Sequence, residues 1–444
     1  MTCLGDLLAA SREREAEAAR TLREQGHAEE APAAAWFVPG RIEILGKHTD
    51  YAGGRSLLAA TAQGFCAVAV PTARRELRLF DRTRGAQAVV PLGPDAAAAV
   101  GWARYPLAVV RRLARDVPPL DRGLDLAFTN DLPTAAGLSS SSAFVVATFL
   151  ALADRHDLFT DPRHAAHLDR PEALAGYLGA VENGYPFGPF AGDHGVGTFG
   201  GSEDHTAILS CRSGEVLQAR FSPVVFERRI AGLGDMTFAI GSSGVEAAKA
   251  GNARERYNRA SRLASEAAEI WRRTTGGAER HLAEIAARTG ARSFDALPAA
   301  FREALGAPDS ELASRVEHFL VESEELVPAA GEALARRDFS TFGDLVDRSQ
   351  ERGARLLGNQ VPETVALARS ARRLGALASS AFGAGFGGAV WALVPRAEVE
   401  EFLAVWREAY HSAFPERAAR SRFFWTPAAD GARRLDGPGS WGLT

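Results

Sequence analysis

Apolar and polar positions alternate with different periods in the two halves of the chain, strand-like early and helix-like late. Roughly the first 35 residues carry a polar helical pattern that ends in the Ala/Pro stretch 31–35. Trp36, Phe37 and Val38 then open a strand that runs into a glycine-rich segment, residues 39–54. Runs of Val and Ala over 57–71 and 76–81 read as further strands. The spacing over 102–116 predicts a helix and that over 124–129 a strand. The turn Asn130-Asp131-Leu132-Pro133 then leads into a long apolar helix over about 138–157. Glycine is dense from Gly184 to Gly201 and marks a long loop. Residues 206–210 and 216–221 read as a hairpin about Arg212-Ser213-Gly214, and 235–240 as a strand. Helical periodicity fills 252 to about 374, followed by a strand at 389–394, a helix at 396–410 and a strand near 422–425. Strand and helix do not alternate regularly, so the fold class is α+β with mixed sheets. The change of texture near residue 215 divides the chain into an N-terminal domain, 1–215, and a C-terminal domain, 216–444.

At 444 residues the chain can bury two cores, and its 46% apolar and 24% charged content is that of an ordinary globular protein. A net charge of −4 gives no pull toward nucleic acid or an anionic membrane. The apolar run 143–153, broken only by Thr148, is too short to span a bilayer. Arg and Glu mix freely from Arg12 to Glu30, which suits neither a secretory signal nor a transit peptide. Three cysteines, Cys3, Cys66 and Cys211, point to a reducing compartment without a disulfide framework, so the cytoplasm is expected. Only Lys47 and Lys249 among 51 basic residues are lysines, which draws attention to any position that keeps one.

Two glycine motifs mislead. Residues 40–47 approach a P-loop, but five residues separate the glycines and His48 stands where Ser or Thr would bind magnesium. Gly383-Ala384-Gly385-Phe386-Gly387-Gly388 fits the dinucleotide pattern formally, yet a strand rather than a helix follows it. The stronger phosphate-binding candidate is Pro133-Thr134-Ala135-Ala136-Gly137-Leu138-Ser139-Ser140-Ser141-Ser142. A strand and turn there lead into a helix whose start offers unpaired N–H groups, the macrodipole and hydroxyls to an anion. An ordinary serine N-cap would look the same in sequence.

This segment resembles the P-x-x-x-G-L-S-S-S motif of the GHMP kinases. Residues 39–51, Pro39-Gly40-Arg41-Ile42-Glu43-Ile44-Leu45-Gly46-Lys47-His48-Thr49-Asp50-Tyr51, resemble the galactokinase sugar motif G-R-x-N-x-I-G-E-H-T-D-Y, and 383–388 resemble the third, glycine-rich motif. The resemblance covers roughly 35–430. It implies a two-domain fold, with a ribosomal-protein-S5-like N-terminal domain, a ferredoxin-like C-terminal domain and the active site in the cleft between them. It also implies an ATP-dependent sugar 1-kinase.

On that resemblance Arg41 and Asp204 are catalytic. Arg41 would stabilise developing charge, and Asp204, in Gly200-Gly201-Ser202-Glu203-Asp204-His205, would accept or orient the proton of the attacking hydroxyl. Glu203 and Asp193 are rivals for that role, and His205 stands where the family has Gln. Lys47, His48, Asp50, Gly201 and Tyr257 fall at sugar-binding positions; Gly137, Leu138, Ser139, Ser140 and Ser141 fall at ATP-binding ones. Ser141 and Glu182 would hold Mg2+, a hard ion suited to one hydroxyl, one carboxylate and the phosphates of ATP. The partners implied are a small sugar and ATP, with no nucleic acid and no membrane.

Two departures sit in the sugar motif: Glu43 replaces Asn, and Lys47 replaces a glutamate that in galactokinases contacts the C6 hydroxyl. Lys47 could read an anionic sugar such as a uronic acid, or could pair with Glu43 and leave a neutral hexose as substrate. The segment 185–195 is an insertion that could reshape the pocket. A non-catalytic sugar and ATP sensor is the alternative of another class, although it would need neither Arg41 nor Asp204. A GHMP kinase for a non-sugar alcohol sits poorly with His48-Thr49-Asp50-Tyr51.

Overall fold

The computed structural model describes residues 4–29, 34–97, 101–117, 119–133, 137–245 and 252–435. Residues 31–33, Cys3, Lys249 and the segment 134–136 ahead of the serine-rich helix lie outside these. The first helix, α1 (Leu4–Glu24), packs against a sheet built around the long strands β1 (Ala34–Leu45) and β2 (Arg55–Pro71). That sheet has eight strands and also takes β3 (Glu76–Asp81), β4 (Ala86–Pro91) and β5 (Leu124–Asn130). Helix α2 (Arg104–Asp116) leads into β5, and α3 (Ser140–Arg155), the short α4 (Pro162–Ala165), α5 (Pro171–Asn183) and α6 (Glu203–Ser210) follow it. Strands β6 (Val216–Arg220) and β7 (Val225–Ile230) complete the sheet, with β6 bonded to β2. Pairing is antiparallel except between β3 and β5.

A second, four-stranded antiparallel sheet carries β8 (Met236–Ser242), β9 (Ala378–Ala381), β10 (Ala389–Pro395) and β11 (Arg422–Thr426). Between β8 and β9 run the helices α7 (Asn252–Thr275), α8 (Leu282–Thr289), α9 (Ala299–Leu305), α10 (Glu311–Phe319), α11 (Val327–Ala335), α12 (Phe339–Arg352) and α13 (Pro362–Arg373). Helix α14 (Val399–Ala413) covers the second sheet, and β12 (Arg433–Arg434) returns to pair with β1. One apolar cluster continues from the first sheet through α3 and α5 into β8, β10, α11 and α12, so a single body of packing joins the two sheets.

The sequence pattern and the fold differ at definite places. Residues 206–210 are helix, not strand. The turn closes on itself through the Thr206 hydroxyl, which donates to the Ser202 carbonyl at 2.8 Å, and the segment is buried on all sides. Strands β6 and β7, which follow residue 215, and β12 near the other end of the described chain all hydrogen-bond into the first sheet. The glycine-rich start of the sugar motif is continuous strand to Leu45. Cys66 and Cys211 are buried free thiols. Among the described residues no helix is long and apolar enough to cross a membrane.

Two features of this scaffold set the position of the cleft. Ile42 and Ile44 of β1 enter the main core, so the period of two sends Arg41 and Glu43 to the opposite face. Between α10 and α11 the helix widens to π-type over Leu320–Leu326, a departure common at functional sites. The widened turn carries Glu322, whose Oε1 accepts from the Gly46 and Lys47 N–H groups at 2.9 and 3.3 Å and from the Ser349 hydroxyl at 2.9 Å. The helical layer thereby fixes the bend that follows β1. Glu322→Ala should cost about 3 kcal/mol by chemical denaturation, because it strands buried donors. Glu322→Gln, which keeps an acceptor there, should lose less than half as much.

Candidate active site

Arg41, Glu43, His48, Asp50, Glu182, Glu203, Asp204 and Tyr257 line one hollow, together with Ser142, Asn183 and Gly383. Its centre is an ion pair. Arg41 Nε and Nη2 both lie 2.7 Å from Asp204 Oδ1, and Nη1 donates to the Gly137 carbonyl. The second carboxylate oxygen of Asp204 accepts from the Ser142 hydroxyl at 3.1 Å. The Arg41 side chain is 5% exposed and that of Asp204 17%, so the carboxylate is the partner that opens toward the cleft. Burial alone would lower the Arg41 pKa. The charges of Asp204, Glu203 and Glu43, with the bond to Asp204, outweigh it and hold the guanidinium more firmly protonated than usual.

The two rivals for the role of Asp204 are separated by their surroundings. Glu203 Oε2 accepts from the Ser56 hydroxyl at 2.5 Å and Oε1 is 3.8 Å from Arg41; burial pushes its carboxyl well above the carboxylate range. Asp193 is tied to Arg115 at 2.6 Å and does not line the hollow. The insertion around it is tied to the scaffold, and its residues 185–188 line a neighbouring hollow with Asp50 and Gly201. Phe187 and Phe190 bridge each other, and Arg112 donates to the carbonyls of Tyr185 and Phe190 at 2.9 and 3.5 Å.

Helix α3 begins at Ser140, two residues later than the pattern suggests, with Ser139 at the N-cap in the left-handed region (φ 58°). The Ser139 side chain makes no capping bond, so the serines are not there as an ordinary N-cap. The Leu138 carbonyl accepts from the Arg41 N–H at 3.2 Å, which seats the helix start against β1. Gly383 (φ +76°) faces Gly137. A Cβ there would stand 3.0 Å from the Gly137 carbonyl and 3.5 Å from Arg41 Nη2, so the third glycine-rich segment closes on the same point. Ser140 and Ser141 stay partly exposed, whereas Ser142 turns inward to Asp204.

Asp50 Oδ2 accepts from the Gly201 and Glu203 N–H groups at 3.0 and 3.4 Å. A Cβ on residue 201 would meet that oxygen at 2.5 Å, so only glycine fits. Burial raises the Asp50 pKa. His48 lines the hollow but commits both ring nitrogens, to Tyr51 Oη at 3.0 Å and the Ala384 carbonyl at 3.1 Å. Its ring lies 5.3 Å from that of Tyr257, whose hydroxyl burial holds well above its usual pKa. Behind them the buried Arg315 donates to the His48 carbonyl and to Tyr51 Oη at 3.3 Å.

Lys47 does not face the hollow, and its tie to Glu43 is one of charge rather than of a hydrogen bond. It is 1% exposed, does not line the hollow, and donates from Nζ to Ser349 Oγ at 3.2 Å. It therefore cannot read an anionic sugar, and among the described residues no ion pair joins it to Glu43. Glu182 is buried, with Oε2 3.0 Å from His205 Nε2. Its carboxylate and a hydroxyl from the start of α3 are hard oxygen donors of the kind that suits magnesium carried in with nucleotide phosphates. Among the described residues no larger cluster of metal-ligating side chains occurs.

Asn183 is a residue the sequence reading passes over, although it adjoins Glu182. Its Oδ1 accepts from the Gly200 N–H at 2.8 Å and the Thr198 hydroxyl at 2.9 Å, and Nδ2 donates to the Gly201 carbonyl at 3.1 Å. It thus shapes the segment that meets Asp50.

Residues 104–186 match the GHMP kinases N terminal domain, 331–412 the GHMP kinases C terminal domain, and 23–71 the galactokinase galactose-binding signature. Galactokinase of Enterococcus faecalis is 25% identical over 410 residues, covering 90% of this chain and 95% of that protein. Galactokinase of Mycobacterium tuberculosis is 28% identical over 392 residues, covering 88% and 97%. The structure of Lactococcus lactis galactokinase complexed with galactose superposes with a TM-score of 0.76 at 22% identity, over 95% of this chain and 99% of that one. Mevalonate kinase of Methanococcus jannaschii gives 0.55 at 15% identity, over 91% and 100%.

Glu43 is buried, and burial raises its carboxyl to about 7 against the pull of Lys47 and Arg41. A raised acid pKa means that the folded chain must carry an ill-solvated charge once pH passes about 7, while the unfolded chain ionises near 4.5 at no such cost. Glu43→Gln should therefore raise the melting temperature relative to the parent at pH 8 and leave it nearly unchanged at pH 4.5. Equal shifts at both pH values would contradict this.

Proposed function

The chain belongs to the GHMP kinases and is built like a galactokinase, and from that premise we propose that it transfers the γ-phosphate of ATP to the anomeric hydroxyl of galactose or a related sugar. As a member of that family it is an ATP-dependent phosphotransferase with an alcohol acceptor. The observation that carries the finer reading is the Arg41–Asp204 pair, bonded through one guanidinium to the carbonyl at the serine-rich helix start and through the other edge to a cleft carboxylate.

The roles follow from the geometry. The N-terminal turn of α3, reached through Gly137, Leu138 and Ser139, offers backbone N–H groups and the hydroxyls of Ser140 and Ser141 to the ATP phosphates. The sugar lies between Asp50 and Gly201 on one side and His48 and Tyr257 on the other. Asp204, held by Arg41 and Ser142, orients the attacking hydroxyl and takes its proton as the new P–O bond forms and the bond to ADP breaks. Arg41 offsets the charge that gathers on the oxygens in flight. Glu182 and Ser141 would hold Mg2+, which when bound neutralises phosphate charge. A sensor without turnover has no use for the Arg41–Asp204 pair. Among the described residues lining the hollow, Arg41 is the only lysine or arginine and it is paired with Asp204, while Lys47 is enclosed elsewhere.

The test is ADP release with magnesium ATP over hexoses, amino sugars, uronic acids and sugar phosphates. Galactose or a near relative should stand first. Asp204→Asn should lower kcat at least about 100-fold while ATP still raises the melting temperature. An unchanged kcat would remove Asp204 from the reaction. Lys47→Glu should destabilise the fold and leave the order of substrates as it was; a switch in that order would return Lys47 to the sugar site.

A further inference from the structure

Glu43 differs from the carboxylates Asp50, Glu203 and Asp204 of the same cleft, each of which accepts a hydrogen bond. It sits two residues along β1 from Arg41, on the same face, and is 3% exposed. Among the described residues it takes part in no hydrogen bond, and Oε1 is sealed from solvent without a partner. Its charged neighbours act on it through charge but direct their hydrogen bonds elsewhere. Lys47 donates to Ser349, Ser349 donates to Glu322, and Arg41 gives its N–H groups to Asp204 and Gly137. Native interiors seldom leave a buried acceptor unmade, and where they do a ligand is a common reason.

The surroundings decide which ligand chemistry could complete it. Asp50, Glu182, Glu203 and Asp204 line the same hollow, against one guanidinium that is already paired. A carboxylate or phosphate on the sugar would offer Glu43 Oε1 only further acceptors. A hydroxyl can donate to Glu43, and a protonated amine can donate and add a compensating charge. We propose that Glu43 is a specificity-determining residue: it accepts a hydrogen bond from a donor substituent of the sugar, hydroxyl or ammonium, and so turns away uronic acids, sugar phosphates and the deoxy analogue lacking that donor. This rests on the sugar-kinase reading of the same cleft.

The experiment compares kcat and KM for galactose, galactosamine, the monodeoxygalactoses and galacturonic acid in the parent, Glu43→Gln and Glu43→Leu. Melting temperatures confirm that each variant is folded. Leu should raise KM for galactose on the order of tenfold or more with a smaller change in kcat, while one monodeoxy sugar, already lacking the contacted hydroxyl, should be indifferent to the substitution. Gln keeps an acceptor but not the charge, so the ratio of galactosamine to galactose in kcat/KM should fall on the order of tenfold. It also covers the case of a Leu variant that does not fold. Parent turnover with the same order of sugars in every folded variant would overturn the role of Glu43 alone. A parent that phosphorylates none of them would overturn the sugar-kinase reading and this inference with it.

Discussion

The structure turns on the buried guanidinium of Arg41. One side chain on β1 ties the approach to α3, through the Gly137 carbonyl, to the first turn of α6, through Asp204. A buried cation is tolerable only when its donors are met, and here the partners that meet them are the two places to which the proposed reaction assigns an anion and a base. Asp204 in the first helical turn stands where the macrodipole favours a negative charge, beside the Arg41 guanidinium.

Around that pair the protein supports the site from behind. The π-type turn at Leu320–Leu326 delivers Glu322 to the Gly46–Lys47 bend, and Arg315 braces His48 and Tyr51. Asn183 holds the backbone at Gly200 and Gly201, which leaves Asp50 its two N–H partners. The helical layer and the strand-rich layer therefore meet as one packed body at the cleft, not as two loosely joined halves. Glu43 is the exception, a side chain whose burial works against stability. Retaining such a group in a cleft of this kind is the usual sign of a trade between stability and recognition.

Much of this was readable in the chain, because the residues that carry the chemistry lie in short local motifs. Arg41, Asp50, Gly137 and the serine run needed only their neighbours to be placed. What stayed hidden depends on contacts far apart in sequence. Whether Lys47 faces a sugar or the interior is decided by Ser349 and Glu322, on helices that no local pattern ties to residue 47. Which serine meets Asp204 is set by where α3 starts: with Ser139 left-handed, a helical step of about 100° per residue turns Ser142 inward and leaves Ser141 at the rim. The segment 206–210, Thr-Ala-Ile-Leu-Ser, is short and apolar enough to read as a strand, and burial against α3 and α5 holds it as helix.

The central claim is that this cleft joins one sugar hydroxyl to one phosphoryl group. The measurement closest to it is 31P and 13C NMR of the products formed from magnesium ATP and galactose. The account predicts a single sugar phosphate whose phosphorus couples to the anomeric carbon, formed mole for mole with ADP. Inorganic phosphate with unchanged galactose, or a phosphate on another carbon, would contradict it.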